Sequence, residues 1–347
     1  MPVFRACCPM SELSLMKWNS SPGSNSPAPW AIYVLLLCLP LPVQAEDTSS
    51  RATQLINQMS RASKELNYDG IFVYRRGNRI DTLRLIHKND EQGEKERMVS
   101  LTGPAREVIR DGESVTCIFP DNQAVMVESG HPKKLLAAQL PEPVETIADY
   151  YTFSIAGKDR VAGRDTWMIN IVPKDDYRFG YQLWIDEQSN LLMKSELKDG
   201  SGWPIEQILF TKLDILDEIP DKLLKPAISG KDYTWYSSTV DAKVQAVSDR
   251  QWKVTSMPAG FSMSQHETRG VAKSGMPVEH MVYSDGLAMV SVFVEKIENR
   301  PETLKSASRI GGVNTYAIYA DGYQVTAVGE VPQKTVRLFA GSVLQSR

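Results

Sequence analysis

Histidine and cysteine are scarce, with 4 of each in 347 residues. Cys7, Cys8 and Cys38 fall in the first 45 positions, so Cys117 is the one thiol in the part of the chain that carries folding patterns, and a disulfide framework is excluded. His87, His131, His266 and His280 are scattered, with no zincin spacing and no neighbouring cysteine pair, so no metal and no other cofactor is expected. No Gly-x-Ser-x-Gly elbow, Walker loop or dinucleotide fingerprint occurs, and no nucleophile and base fall into a catalytic pattern. Enzymatic turnover therefore has no support. Charge of one sign is also missing: 39 basic residues face 42 acidic ones, which gives no bulk field for nucleic acid or anionic lipid.

Long hydrophobic runs are absent as well. Ala31–Leu39 is apolar, but it is far short of the roughly 20 residues that cross a bilayer as a helix, and Pro40 and Pro42 follow it. Val43-Gln44-Ala45 then supplies a small-residue cleavage pattern. Residues 1–45 are expected to be a secretory signal peptide, with Met10 and Met16 as alternative starts, and the mature chain is expected to be exported into an oxidising space.

The mature chain opens with Ala52, Leu55, Ile56, Met59, Ala62 and Leu66 at steps of three and four, which predicts one amphipathic helix. From Tyr68 the period becomes two and turn signals recur, with Asp111-Gly112 the clearest hairpin. This pattern reaches residue 215 and predicts nine or so antiparallel strands, too many to stay flat, curled as an open barrel over the helix. Ile71, Val73, Leu83, Leu85, Trp167, Ile169, Tyr181, Leu183 and Ile185 are expected on its inner face as the lining of a lipid cavity. The sequence leaves open whether the helix and loops fill that space. Residues 216–232, with Pro220, Pro226 and Gly230, read as a linker, and residues 233–347 as a smaller α+β domain closed by a helix from Pro332 that carries Val336, Leu338, Phe339 and Val343. The fold class is thus α+β and strand-rich. Tyr283, Asp285, Leu287, Tyr316 and Tyr323 lie near Asp-Gly turns, where exposed aromatics would anchor a peptide; core packing accounts for them equally well.

Several segments in register resemble the RseB/MucB family of periplasmic sigma-E regulators. They are Leu66-Asn67-Tyr68-Asp69-Gly70-Ile71-Phe72-Val73-Tyr74, Leu101–Arg110, Arg160–Arg164, Tyr177-Arg178-Phe179-Gly180-Tyr181, Met257-Pro258-Ala259-Gly260-Phe261, Tyr283-Ser284-Asp285-Gly286-Leu287 and Val325–Pro332. The resemblance implies an N-terminal domain like the LolA/LolB lipoprotein carriers. It also implies a binding function: capture of the periplasmic segment of an anti-sigma factor of the RseA/MucA kind, shielding it from site-1 proteolysis, with release by lipid or lipopolysaccharide. A LolA-like carrier of lipoproteins or lipids is the alternative, and self-association into a homo-oligomer is left open.

Overall fold

The computed structural model describes residues 48–112, 114–129, 140–228, 230–238, 252–270, 277–297, 305–320 and 322–345. The expected signal peptide, Cys7, Cys8, Cys38 and His131 lie outside them. Helix α1 (Thr48–Glu65) forms where the three-four spacing places it, and Ala52, Leu55, Ile56 and Met59 on its apolar stripe are buried. The Leu66 N–H still bonds to the Ala62 carbonyl before the chain turns into the first strand.

Twelve strands then build one sheet: β1 (Asn67–Arg76), β2 (Arg79–Asp90), β3 (Gly93–Ser100), β4 (Glu107–Asp111), β5 (Ser114–Phe119), β6 (Ala124–Ser129), β7 (Tyr151–Val161), β8 (Arg164–Pro173), β9 (Gly180–Asp186), β10 (Leu192–Lys198), β11 (Pro204–Leu216) and β12 (Thr234–Ser238). Their order is β12-β6-β5-β4-β3-β2-β1-β11-β10-β9-β8-β7, with β1 and β11 closing the meander across the middle. Among the described residues the two end strands do not pair with each other, so the sheet is open. One cluster packs α1 against Phe153, Ile169, Ile171, Leu183 and Ile185, and a second joins the helix residue Ala62 to Tyr68, Phe72, Leu83, Leu85 and Phe210. Burying each such large side chain contributes about 1.5–3 kcal/mol. Asn57 ties the helix to the 3-10 turn Val144–Ile147: its Oδ1 accepts the Val144 N–H at 2.9 Å and its Nδ2 donates to Glu145.

The end of this sheet adds detail to the sequence reading. The stretch read as a linker lies against the sheet over residues 219–227: Ile219 and Leu224 pack on Ile86, Glu107 accepts the Ala227 N–H, and Arg97 donates to the Leu223 carbonyl. Strand β12, which the sequence reading did not include, follows the expected boundary at 232/233 and pairs parallel to β6. One backbone and one side-chain bond hold the return: the Thr234 N–H donates to the Gln123 carbonyl at 2.8 Å and the Trp235 indole to the Gly230 carbonyl at 3.0 Å.

The smaller unit contains β13 (Trp252–Val254), β14 (Ser262–Gly270), β15 (Pro277–Ser284), β16 (Met289–Lys296), β17 (Ser306–Ile310), β18 (Val313–Ala320), β19 (Tyr323–Gly329), α2 (Gln333–Gly341) and β20 (Val343–Gln345). Six of the strands form an antiparallel sheet in the order β14-β15-β16-β19-β18-β17. Alternating Val290, Val292, Val294, Val325 and Ala327 pack against Val336, Phe339 and Ala340 of α2. Pro332 precedes the helix, where its missing N–H has no intrahelical partner to lose. Val343 falls in β20 rather than in the helix, because it pairs with Val254 of β13. Strand β17 is exposed at every position, so no alternation marked it in the sequence.

Candidate functional site at the junction of the two sheets

Four of the seven segments that carry the family resemblance come together where the two sheets meet. Tyr177–Tyr181 is the approach to β9, Met257–Phe261 precedes β14, Tyr283–Leu287 is the turn after β15, and Val325–Pro332 runs from β19 to α2. Arg178 is the centre. Its guanidinium is buried and donates to Asp285 Oδ2 at 2.7 Å and to the Ala259 carbonyl at 2.5 Å, with Asp175 Oδ2 at 3.1 Å. The rings of Tyr150, Tyr151 and Phe261 stack around it at 4.9, 5.6 and 5.2 Å. Asp285 is equally enclosed. Its Oδ2 also accepts the Tyr151 hydroxyl at 3.0 Å, while its Oδ1 accepts the N–H groups of Leu287 and Ala288 at 2.9 and 2.7 Å. Every oxygen of this carboxylate is hydrogen-bonded, the condition under which a buried charge is tolerated.

Further polar contacts surround this pair. Tyr181 donates to Glu330 at 3.0 Å, Tyr74 donates to Glu206, and Glu206 accepts the Gly312 N–H at 2.7 Å. Burial and then the Asp285 charge raise the Tyr151 phenol well above its usual range, and burial followed by Glu330 does the same to Tyr181. Both phenols therefore remain donors. Lys334 reaches Asp176 at 2.7 Å, which lowers the pKa of that carboxyl, and Thr335 donates to the Tyr177 carbonyl at 2.6 Å. Gly260, with φ of +87°, lies where any Cβ would collide with the Tyr150 ring, so the close approach requires glycine. Beside this network opens a cavity of about 800 Å³, lined by Arg178, Tyr181, Lys198, Arg309, Asn314 and Gln333 among others.

The residues expected to line a lipid cavity divide into groups. Trp167, Ile169, Tyr181, Leu183 and Ile185 do share one face, paired as Trp167 with Ile185 and Ile169 with Leu183, but α1 packs onto that face as core. Leu83 and Leu85 belong to the neighbouring cluster around Phe72. Ile71 and Val73 are corrected: the register sets Phe72 opposite Leu83 and Ile71 opposite Arg84, which turns both to the other face of the sheet. The residues expected to anchor a peptide are corrected too. Tyr283 and Asp285 are buried. Leu287 packs on the core beneath α1, and Tyr316 and Tyr323 pack on the core of the smaller unit, where Tyr323 also meets the Trp252 ring. The Asp285-Gly286 turn faces Ile147 and Pro141 of the larger unit, whereas Tyr316 and Tyr323 are held by the core of the smaller unit itself. Arg178, Glu206 and Glu330 were missed; the available signal was a charged residue set between aromatic or apolar neighbours, as in Tyr177-Arg178-Phe179. Cys117 is half-buried and in no disulfide.

Comparison with known proteins covers both units. Residues 51–228 match the MucB/RseB N-terminal domain and residues 246–344 the MucB/RseB C-terminal domain. The chain is 28% identical over 310 residues to the sigma-E factor regulatory protein RseB of Haemophilus influenzae, covering 87% of this chain and 93% of that one. It is 28% identical over 320 residues to the sigma factor AlgU regulatory protein MucB of Pseudomonas aeruginosa, covering 89% and 96%. Among solved structures, the Pseudomonas aeruginosa MucA/MucB complex contains a chain with 26% identity and a TM-score of 0.69, covering 86% of this chain and 99% of that one. With both units matched in order and a shared architecture over nearly the whole of the solved relative, the chain belongs to the MucB/RseB family.

Proposed function

We propose that this protein is a negative regulator of a sigma-E-type envelope stress response, acting by binding the periplasmic segment of a membrane-bound anti-sigma factor. The observation that carries the reading is the match along both units to proteins named as sigma-factor regulators, one of them solved with its partner MucA. The site fits such a role. Its polar groups are saturated with partners inside the molecule, an arrangement suited to fixing a binding surface. Among the described residues no helix is long and apolar enough to cross a membrane, and the function needs none, since the partner carries the anchor. The protein acts in the periplasm and shields its partner from site-1 cleavage. Lipid or lipopolysaccharide lowers the affinity by binding preferentially to the partner-free form, with leverage equal to its differential affinity for the two states.

The test is a titration with the purified periplasmic segment of the anti-sigma factor, followed by exposure of the complex to the site-1 protease with and without lipopolysaccharide. Binding, slowed cleavage and recovery of cleavage on adding lipopolysaccharide are expected. Absence of binding, or cleavage at the free rate in a saturated complex, would refute the regulatory reading. Capture of lipoproteins in place of the anti-sigma segment would point instead to a carrier.

A further inference from the structure

Away from the junction, cross-strand pairing brings together residues that no sequence spacing connects. His87 of β2 stands opposite Glu96 of β3, Glu94 lies two residues along the same strand on the same face, and Arg110 of β4 stands opposite Glu96. On the other side His87 pairs with Tyr68 of β1, whose ring stacks on the imidazole at 4.8 Å. The His87 side chain is fully enclosed. Its Nδ1 lies 2.8 Å from the Leu66 carbonyl oxygen. A carbonyl only accepts, so Nδ1 holds a proton and the neutral ring presents the Nε2 lone pair to the opposite side.

That lone pair faces Glu94 Oε1 at 3.5 Å, and Nε2 has no hydrogen-bond partner among the described residues. Two acceptors aimed at one another in a buried place repel unless a cation stands between them. Ligand atoms of His87, Glu94 and Glu96 all lie within 4.8 Å of one another, a spacing that small carboxylate rotations close onto one ion. The surrounding contacts are those of a supported metal ligand set. The imidazole is oriented by its Nδ1–H bond to a backbone carbonyl, and Glu96 is held through Oε2 by Arg110 Nη1 at 2.9 Å. Arg110 also offsets part of the negative charge of the two carboxylates. Glu94 is partly open to solvent, which gives an ion a way in.

We propose that His87, Glu94 and Glu96 form a binding site for one divalent transition-metal ion, with zinc the best fit to a single imidazole and two carboxylates. Magnesium and calcium are disfavoured because both seek all-oxygen shells with more ligands than these strands supply. Water completes the zinc shell.

The experiment titrates zinc sulfate into the full exported protein after stripping with a chelator, read by calorimetry, and repeats it with cobalt(II), whose visible absorption reports the ligand set. One equivalent of zinc is expected, with affinity reduced at least about tenfold in both His87→Gln and Glu94→Gln. Glu94→Gln protects the test against misfolding, because its side chain reaches the surface while that of His87 does not. Absence of stoichiometric zinc binding by the wild-type protein would overturn the proposal, as would unchanged affinity in the two folded variants. A proton as the sole bridging cation would also overturn it, seen as a His87 imidazolium signal in nitrogen NMR that zinc leaves unmoved.

Discussion

Asp285→Asn is the most direct perturbation of the junction, because it changes one atom and retains the shape. The side chains of Asp285 and Arg178 are both completely enclosed and lie 2.7 Å apart. An asparagine there can keep its Oδ1 bonds to Leu287 N and Ala288 N, so the turn survives. What changes is the other atom: an amide nitrogen, itself a donor, now meets the Arg178 guanidinium, which can only donate, and no longer accepts the Tyr151 hydroxyl proton. Removing one member of a buried pair typically costs about 3–5 kcal/mol, most of it the penalty of a charge left enclosed. Asp175 and the Ala259 carbonyl continue to serve Arg178, which places the expected loss near the lower end, about 3 kcal/mol.

A matched control exists in the same molecule. Arg79 and Asp81 lie at nearly the same separation, 2.8 Å, but the Arg79 side chain is 58% exposed. Solvent screening reduces such a pair to at most about 1 kcal/mol, so Asp81→Asn should be close to neutral. Urea unfolding followed by tryptophan fluorescence compares the two, with Trp252 in the smaller unit and Trp167 and Trp184 in the larger one. Asp285→Asn is also expected to broaden the transition, since the smaller unit loses one of its buried polar attachments while Arg178 still holds the Ala259 carbonyl. Arg178→Met combined with Asp285→Asn should cost clearly less than the two singles added together. A loss for Asp285→Asn no greater than that for Asp81→Asn, or strict additivity in the double variant, would refute the reasoning.

Three other outcomes follow from the same structure. Gly260→Ala forces a side chain into the Tyr150 ring at φ of +87°, whereas Gly112→Ala, at φ of +59° with open space around it, bears only the left-handed strain of about 1–2 kcal/mol; denaturation midpoints should fall further for Gly260→Ala, and equal falls would count against the close approach. Leu183→Ala should cost about 2–5 kcal/mol as a fully buried position beneath α1, and Val73→Ala, on the other face and half-buried, clearly less; the reverse order would restore the inner-face placement of Val73. Tyr151 and Tyr181 have raised pKa values in the folded state, while the unfolded chain titrates near 10, so their contribution is complete below pH 10 and is lost as pH rises above it. Each should remove about 1.4 kcal/mol by pH 11, and Tyr181→Phe should make the decline shallower; a stability unchanged between pH 9 and 11 would show that the phenols ionise freely.

Much of the architecture is legible in the sequence because it depends on periodicity. The change from Leu55-Ile56-Met59 spacing to alternation at Tyr68 marks the end of the helix and the start of the sheet within two residues. Face assignment is less legible. Ile71 and Val73 alternate with Phe72 and are as apolar, so the sequence offers two equivalent faces, and only the pairing of Phe72 with Leu83 decides between them. Strands β12 and β17 were invisible for a related reason: edge positions with exposed side chains leave no hydrophobic period. The junction lay further out of reach. Arg178 and Asp285 are 107 positions apart, and nothing in either neighbourhood names the other. The same holds for His87 and Glu96, which become neighbours only once β2 and β3 pair.

The family resemblance gains a physical meaning from where its motifs lie. The core beneath α1 could be rebuilt from other aliphatic residues of similar volume, as hydrophobic cores generally can. The junction has no such latitude: a planar guanidinium gripping one carboxylate oxygen and one carbonyl, a glycine under a tyrosine ring, and a tyrosine hydroxyl on a glutamate each admit one residue type. Buried ion pairs add little to stability compared with well-packed apolar residues, and their advantage is that a misaligned arrangement leaves charges unsatisfied. For the proposed binding role, a fixed setting of one unit against the other is of more use than additional stability. The four motifs at the junction therefore mark the setting of one sheet against the other, and a variant that loosens Arg178 should impair partner binding before it unfolds either sheet.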